Sequence, residues 1–212
     1  MDILERDRVW VKICGICDEE SARFACEHGA DAIGMVFAKS KRQLSYKRAS
    51  KISLAIDHWP QVLKIGVFVN PSEQDLAEAF QNCSLDFAQL HGDESLEFCK
   101  SLQYPHIRAL PVKSEAWILD EIKGHSKSGI ILDTFAVDER GGSGKVFPWE
   151  IARKVTNLGY KVILAGGLNV ENVSKAIKQS KAQGVDVSSG VETQGVKDLK
   201  KIKDFILAAK NI

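Results

Sequence analysis

The segment Val9-Trp10-Val11-Lys12-Ile13-Cys14-Gly15 is an apolar run of high strand propensity that ends abruptly in a thiol and a glycine. The same form recurs seven times, at residues 33–37, 63–69, 87–90, 107–110, 130–132, 162–165 and 185–187. Most of these runs hand over directly to polar or glycine residues. Continuous apolar stretches of this length suit strands buried on both faces, as in a parallel sheet, better than strands with one wet face.

Helical patterns fill the intervals. Residues 18–28 carry acidic side chains in the first turn, where the helix dipole favours them, and Gly29 follows the last turn. Residues 46–56 form the next helix. Ser72 with Asp75 marks a third start by capping exposed backbone amides, with aspartate in the place of the usual glutamate. Further helices are expected at residues 95–102 and 115–122, and from Pro148 to about Asn157, where proline suits the first turn. Pro111 should close the fifth strand, and Asn169 should cap the helix carrying Val173 and Ile177. In the last helix Leu199, Ile202, Phe205, Ile206 and Ala209 share one stripe suited to packing on a sheet.

Strand–helix alternation implies a parallel sheet with right-handed crossovers. Eight nearly equal units, about 26 residues each, favour a closed (βα)8 TIM barrel, an α/β fold in one domain spanning residues 1–212, with 1–8 a short N-terminal extension. The length falls slightly below the ~250 residues usual for that barrel, so insertions should be few. An open doubly wound sheet fits less well, because no G-x-G-x-x-G follows the first strand.

Composition removes several function classes. With 44% apolar and 27% charged residues and a net charge of +1, nothing points to nucleic acid or an anionic membrane as partner. No apolar stretch approaches the roughly 20 residues of a membrane span, and residues 1–8 are charged rather than signal-like, so a cytoplasmic protein is expected. The five cysteines, at 14, 17, 26, 83 and 99, are odd in number and scattered, which argues for reduced thiols. Cys26 and Cys99 keep helical spacing with apolar neighbours and read as small core residues.

In a parallel barrel the strand C-terminal ends share one rim, and there the loops place Cys14, Arg42, Asn70, His91, Asp133, Gly166-Gly167 and Ser188-Ser189. Gly166-Gly167 and Ser188-Ser189-Gly190 follow adjacent strands and offer amides and hydroxyls near helix starts, a phosphate pocket common in this fold; tight turns are the plainer reading. Cys14 and Asp133 are the candidate proton-transfer pair. A thiol of reference pKa near 8.5 becomes a base where positive charge favours its thiolate, and Lys12 and Arg42 are the nearby cations. A buried carboxylic acid can donate to a leaving oxygen. Arg42, in the run Lys39 to Arg42, is either part of a solvated loop or a bidentate grip on a substrate carboxylate. His91 is either a packed histidine or a substrate contact. Cys14-Gly15-Ile16-Cys17 also has the C-x-x-C form of a dithiol motif, which makes a thiol-disulfide oxidoreductase the alternative; that fold is shorter, mixed-stranded and leaves the glycine and serine loops unexplained. No second C-x-x-C or H-x-x-x-H completes a zinc site, so no metal is expected.

These residues lie in motifs that resemble the phosphoribosylanthranilate isomerase family of tryptophan biosynthesis. The likeness covers about residues 11–205 and rests on Lys12-Ile13-Cys14-Gly15-Ile16, Gly34 to Phe37 followed by Ser40-x-Arg42, Gly66-Val67-Phe68-Val69-Asn70, Gln89-Leu90-His91-Gly92-Asp93-Glu94, Leu132-Asp133, Gly141-Gly142-Ser143-Gly144-Lys145, Ala165-Gly166-Gly167-Leu168-Asn169 with Asn172-Val173, and Asp186-Val187-Ser188-Ser189-Gly190-Val191-Glu192. Each is a weak motif alone; their order makes the set specific. The resemblance implies an Amadori rearrangement with Cys14 as general base and Asp133 as general acid. It also implies that Arg42 holds the anthranilate group, and a phosphate site formed by Gly166, Gly167, Asp186, Ser188 and Ser189; His91 is expected as a further substrate-binding residue from its place on the rim. It implies a phosphorylated small-molecule substrate and no cofactor, with a monomer expected and a homodimer as the alternative. The chain departs from the family pattern at Cys17, usually threonine, at Pro148, usually aspartate, and in a loop over residues 37–42 that is one residue shorter. The related barrel that serves both the tryptophan and histidine pathways is less similar, carrying aspartate where Cys14 stands.

Overall fold

Every residue of the opening strand β1 (Trp10–Cys14) is buried, as its unbroken apolar pattern requires. In this computed structural model, which describes Leu4, residues 8–134 and residues 146–212, eight strands follow one another as a closed parallel barrel in sequence order. The remaining strands are β2 (Ala32–Val36), β3 (Leu63–Phe68), β4 (Phe87–Leu90), β5 (His106–Val112), β6 (Ile130–Thr134), β7 (Val162–Leu164) and β8 (Gly184–Val187). The expected glycine-rich segment 141–145, and most of the expected extension 1–8, lie outside the described residues. Two compact units make up the chain, one of Lys12–Arg108 and the other of Met1–Val11 with Ala109–Ile212.

In the unit Lys12–Arg108, Cys14 pairs in register with Gly34, and β2 pairs along its whole length with β3. Helices α1 (Glu19–Glu27), α2 (Tyr46–Ala55), α3 (Glu73–Cys83) and α4 (Leu96–Ser101) complete it, each started by a side chain that accepts a backbone N–H: Asp18, Ser45, Ser72 and Ser95. Ser72 and Asp75 form a full reciprocal capping box, so the shorter aspartate reaches as far as the motif needs.

The second unit holds α5 (Glu115–Glu121), α6 (Trp149–Asn157), α7 (Val173–Ser180) and α8 (Leu199–Lys210). The expectation that Pro111 closes the fifth strand is wrong. β5 runs on to Val112, with Pro111 opposite Asp133 and Val112 opposite Thr134. Proline's fixed φ is compatible with a strand, and so near the strand end its missing N–H costs at most one ladder bond. β6 correspondingly carries Asp133 within the strand, where its backbone is fixed by pairing with β5 rather than lying in a loop. The expectation that Asn169 caps the next helix is not met: its Oδ1 accepts from Glu171 N and Asn172 N in the preceding turn, and α7 begins at Val173 with Asn172 at its N-cap and no side-chain cap bond. Between β8 and α8, where the sequence suggests only the loop Ser188-Ser189-Gly190, a 3-10 turn (Ser189–Val191) and a short hairpin, β9 (Glu192–Thr193) with β10 (Val196–Lys197), stand. Trp10 N–H donates at 2.9 Å to the carbonyl of Gln183, the residue just before β8. Among the described residues no helix is long and apolar enough to cross a membrane.

Candidate active site

Alternation along β1 puts Lys12 and Cys14 on one face of the strand. Lys12 is fully buried and Cys14 is 8% exposed. The strand ends because Gly15 adopts φ 71°, a left-handed conformation that glycine takes without strain, and the N–H groups of Gly15 and Ile16 both donate to Gly34 O. Gly34 is what makes room for the thiol. A Cβ there would lie 2.8 Å from Cys14 Sγ and 3.0 Å from Lys12 Cε, closer than side-chain carbons approach. The other buried thiols differ in kind: burial pushes Cys26 up to about 12 and Cys83 to about 11, and it raises Cys99 as well, so all three are inert packing residues.

The same unit carries His91 and Arg42. Lys12 Nζ donates to Gln89 Oε1 at 2.7 Å, and Gln89 Nε2 stands 3.3 Å from His91 Nδ1. His91 follows the end of β4, and its N–H donates to Phe68 O. Its loop is braced from behind: Glu94 accepts from the N–H groups of Asn70 and Gly92 and pairs with Arg108, both charged side chains being almost wholly buried. Asn70, at φ 49°, accepts through its Oδ1 from Asp93 N–H, and Gly92 leaves no space for a Cβ against it. Arg42 is half-buried in the turn after β2, its N–H on Ser40 Oγ, while Gln43 pairs back to Val36.

In the second unit Asp133 is 8% exposed, and its Oδ1 accepts from Thr134 N at 2.7 Å. Gly166 plays here the part that Gly34 plays for Cys14. At φ 78°, a Cβ on it would fall 2.3 Å from Asp133 Oδ1 and 2.6 Å from Thr134 Oγ1. Gly167 also has positive φ, and its carbonyl accepts from Asn172 Nδ2. The exits of β7 and β8 interlock, since a Cβ on Gly190 would stand only 1.8 Å from Leu168 O. Ser188 and Ser189 are half-buried after β8, and Asp186 is buried within it. Lys197 from the short hairpin donates to Ser188 O at 2.8 Å and pairs with Glu192 at 2.9 Å, with both side chains nearly inaccessible.

Each sequence-predicted site residue therefore lies at or just beyond the C-terminal end of its own strand. The reading from residues missed Gly34, Thr134, Lys197 and the role of Gln89. The signals were faint: a glycine inside an apolar run, and polar residues two positions before Cys14 and before His91. The C-x-x-C alternative finds no support, because Cys14 ends a strand of an all-parallel closed barrel and Cys17 Sγ turns to the carbonyls of Gly15 and Arg42 at 3.6 and 3.8 Å. Among the described residues no group of three or more His, Cys, Asp or Glu side chains is arranged to hold a metal ion.

The chain is similar in sequence and fold to proteins already known. The family model described as N-(5'phosphoribosyl)anthranilate (PRA) isomerase matches residues 11–208. An N-(5'-phosphoribosyl)anthranilate isomerase of Bacillus cereus is 47% identical over 202 residues, covering 94% of this chain and 98% of the relative. Its counterpart from Listeria innocua is 45% identical, covering 95% and 98%. Among solved structures, the phosphoribosyl anthranilate isomerase of Thermotoga maritima superposes with a TM-score of 0.88 at 38% identity, covering 96% of this chain and all of the other. A phosphoribosyl anthranilate isomerase in complex with reduced 1-(o-carboxyphenylamino)-1-deoxyribulose 5-phosphate gives 0.84 at 38% identity and the same coverage. On the strength of these matches and of the barrel that carries them, the chain belongs to the N-(5'-phosphoribosyl)anthranilate isomerase family.

Proposed function

We propose that this chain isomerises N-(5'-phosphoribosyl)anthranilate to 1-(2-carboxyphenylamino)-1-deoxyribulose 5-phosphate, with Asp133 as general acid and Cys14 as general base. Asp133 gives a proton to the ribose ring oxygen, and the ring C1–O bond breaks with assistance from the anilino nitrogen. The resulting iminium makes the C2 hydrogen acidic, and the Cys14 thiolate removes it. The enolamine so formed takes a proton at C1 and loses one from the C2 hydroxyl, leaving a ketone at C2. C1 has been reduced and C2 oxidised within one molecule, so one acid and one base suffice for the proton transfers.

The observation that carries this reading is that each of the two groups is buried at a strand end opposite a glycine that leaves room for it and for nothing larger. Such pre-positioning is what proton transfer in a fixed geometry demands. Arg42 is assigned to the anthranilate carboxylate, which suits a planar guanidinium, and His91 to a substrate hydrogen bond. Gly166, Gly167, Ser188 and Ser189 are assigned to the phosphate, since left-handed glycines and hydroxyls at strand exits present donors to an anion. Asp186 belongs to the same segment. Because two anions repel, its carboxylate is better suited to a sugar hydroxyl beside the phosphate than to the phosphate itself.

The chain acts as a monomer in this reading, with a homodimer as the alternative, and in the cytoplasm. The test generates the labile substrate in place from anthranilate and phosphoribosyl pyrophosphate and follows loss of its fluorescence when the protein is added. Loss dependent on protein concentration is expected; an unchanged decay would end the proposal.

A further inference from the structure

Lys12 is a charged side chain with no exposed surface, and Gln89, its partner at 2.7 Å, is itself only 1% exposed. Neither enters the mechanism above. An ammonium carries three donors and no acceptor, so the group it faces on Gln89 must be the carbonyl oxygen. That orientation turns the Gln89 amide nitrogen, which can only donate, toward His91 Nδ1 at 3.3 Å. Nδ1 must therefore accept. In a neutral imidazole that leaves the proton on Nε2, because the two ring nitrogens divide the roles of donor and acceptor between them. The sequence supports the same chain of contacts: Gln89 and His91 are two residues apart and Lys12 lies on β1, so the relay runs between two strands of one compact unit.

We propose that Lys12 and Gln89 are positioning residues that lock His91 in the Nε2–H tautomer, so that it offers a hydrogen-bond donor to the substrate. The proposal deepens the isomerase reading and rests on it. Lys12 supplies the orientation, because a neutral donor–acceptor in its place would let the amide face either way. Gln89 transmits it, because the acceptor and the donor of its planar amide are fixed relative to each other, one toward Lys12 and the other toward His91. A family of substrates rich in oxygen acceptors, such as a sugar hydroxyl, ring oxygen or carboxylate, is what a fixed Nε2–H recognises.

The experiment records 15N spectra of the histidine ring nitrogens in the full-length protein, with the His91 signals assigned by their loss in His91→Asn. Wild type should show Nδ1 unprotonated and Nε2 protonated. In Gln89→Glu the carboxylate still accepts from Lys12 but offers His91 only an acceptor, so the proton should move to Nδ1. Turnover of that variant should then fall about tenfold to a hundredfold in kcat/KM, the range expected for one lost hydrogen bond to a charged or strongly polar partner. Lys12→Met provides a second variant, in which the amide loses its fixed direction and both tautomers should appear. A wild-type His91 protonated on Nδ1 would overturn the inference, as would a Gln89→Glu protein whose tautomer changes while kcat/KM stays within about twofold. In either of these cases a wild type that turns over leaves the acid–base reading standing. A wild type without turnover removes both.

Discussion

The exits of β1 and β4 and the exits of β7 and β8 are built on opposite principles. At the first pair the chemistry sits on side chains: a thiol, a buried ammonium, an amide and an imidazole, each aimed by its neighbour. At the second pair it sits on the backbone: two glycines of positive φ, a third glycine pressed on a carbonyl, and carbonyls tied by Asn172 and Lys197. Under the proposed function the difference follows from the tasks assigned to each region. Moving protons needs titratable groups of set polarity, whereas holding a phosphate needs donors whose positions cannot wander. Substitutions should accordingly disturb the two regions in different ways.

The largest effect is expected where backbone meets backbone. Gly190→Ala puts a Cβ 1.8 Å from Leu168 O, a clash that no rotamer relieves, so the β7 or β8 exit must move. Chemical denaturation should show a loss of at least ~3 kcal/mol, and KM should rise more than kcat falls. A variant of wild-type stability and KM would mean that the two loops do not depend on each other. Gly166→Ala comes next and crosses from one principle to the other. Its positive φ adds roughly 1–2 kcal/mol of strain, and its Cβ would displace the Asp133 carboxylate, so kcat should fall by about a hundredfold in the same assay. Gly34→Ala should be milder, about tenfold in kcat, because a thiol on one rotatable bond yields more easily than a carboxylate fixed to Thr134 N. If Gly34→Ala proved the more damaging, the contrast between a yielding and a fixed group would be wrong.

Much of this architecture was readable beforehand, and the exceptions have physical causes. The eight strands announced themselves because both of their faces are buried and their apolar runs are therefore continuous. The strand ends shifted by a residue or two, most at Pro111, where a local rule about proline was outweighed by pairing with β6. The hairpin Glu192–Lys197 was illegible: two-residue strands have no periodicity to detect. Cys14, Asp133 and the glycine loops stood out because they interrupt apolar runs. Lys12 interrupts one equally, but a lysine in a strand is usually at the surface, and only the structure shows it buried against Gln89. Gly34 was hidden for the opposite reason, since a glycine within a strand signals close approach without saying to what.

The smallest effect lies away from both regions and serves as their reference. Ser72→Ala removes the α3 cap and should cost about 1 kcal/mol with no change in kcat or KM. Hydrogen bonds from the Ser72 hydroxyl and backbone N–H hold the Asp75 carboxyl below the usual aspartate range. A lowered carboxyl contributes stability that is present above its unfolded pKa and is lost as the pH falls through the folded one. The difference between wild type and Ser72→Ala should therefore be full at neutral pH and shrink in acid. A difference that grew on acidification would contradict the capping geometry.

The most direct measurement is single-turnover kinetics of Cys14→Ala and Asp133→Asn beside wild type, with substrate generated in place. Each variant should lose at least about a thousandfold in the chemical step while still binding substrate. Near wild-type turnover in either would show that proton transfer does not pass through that residue and would contradict the account at its centre.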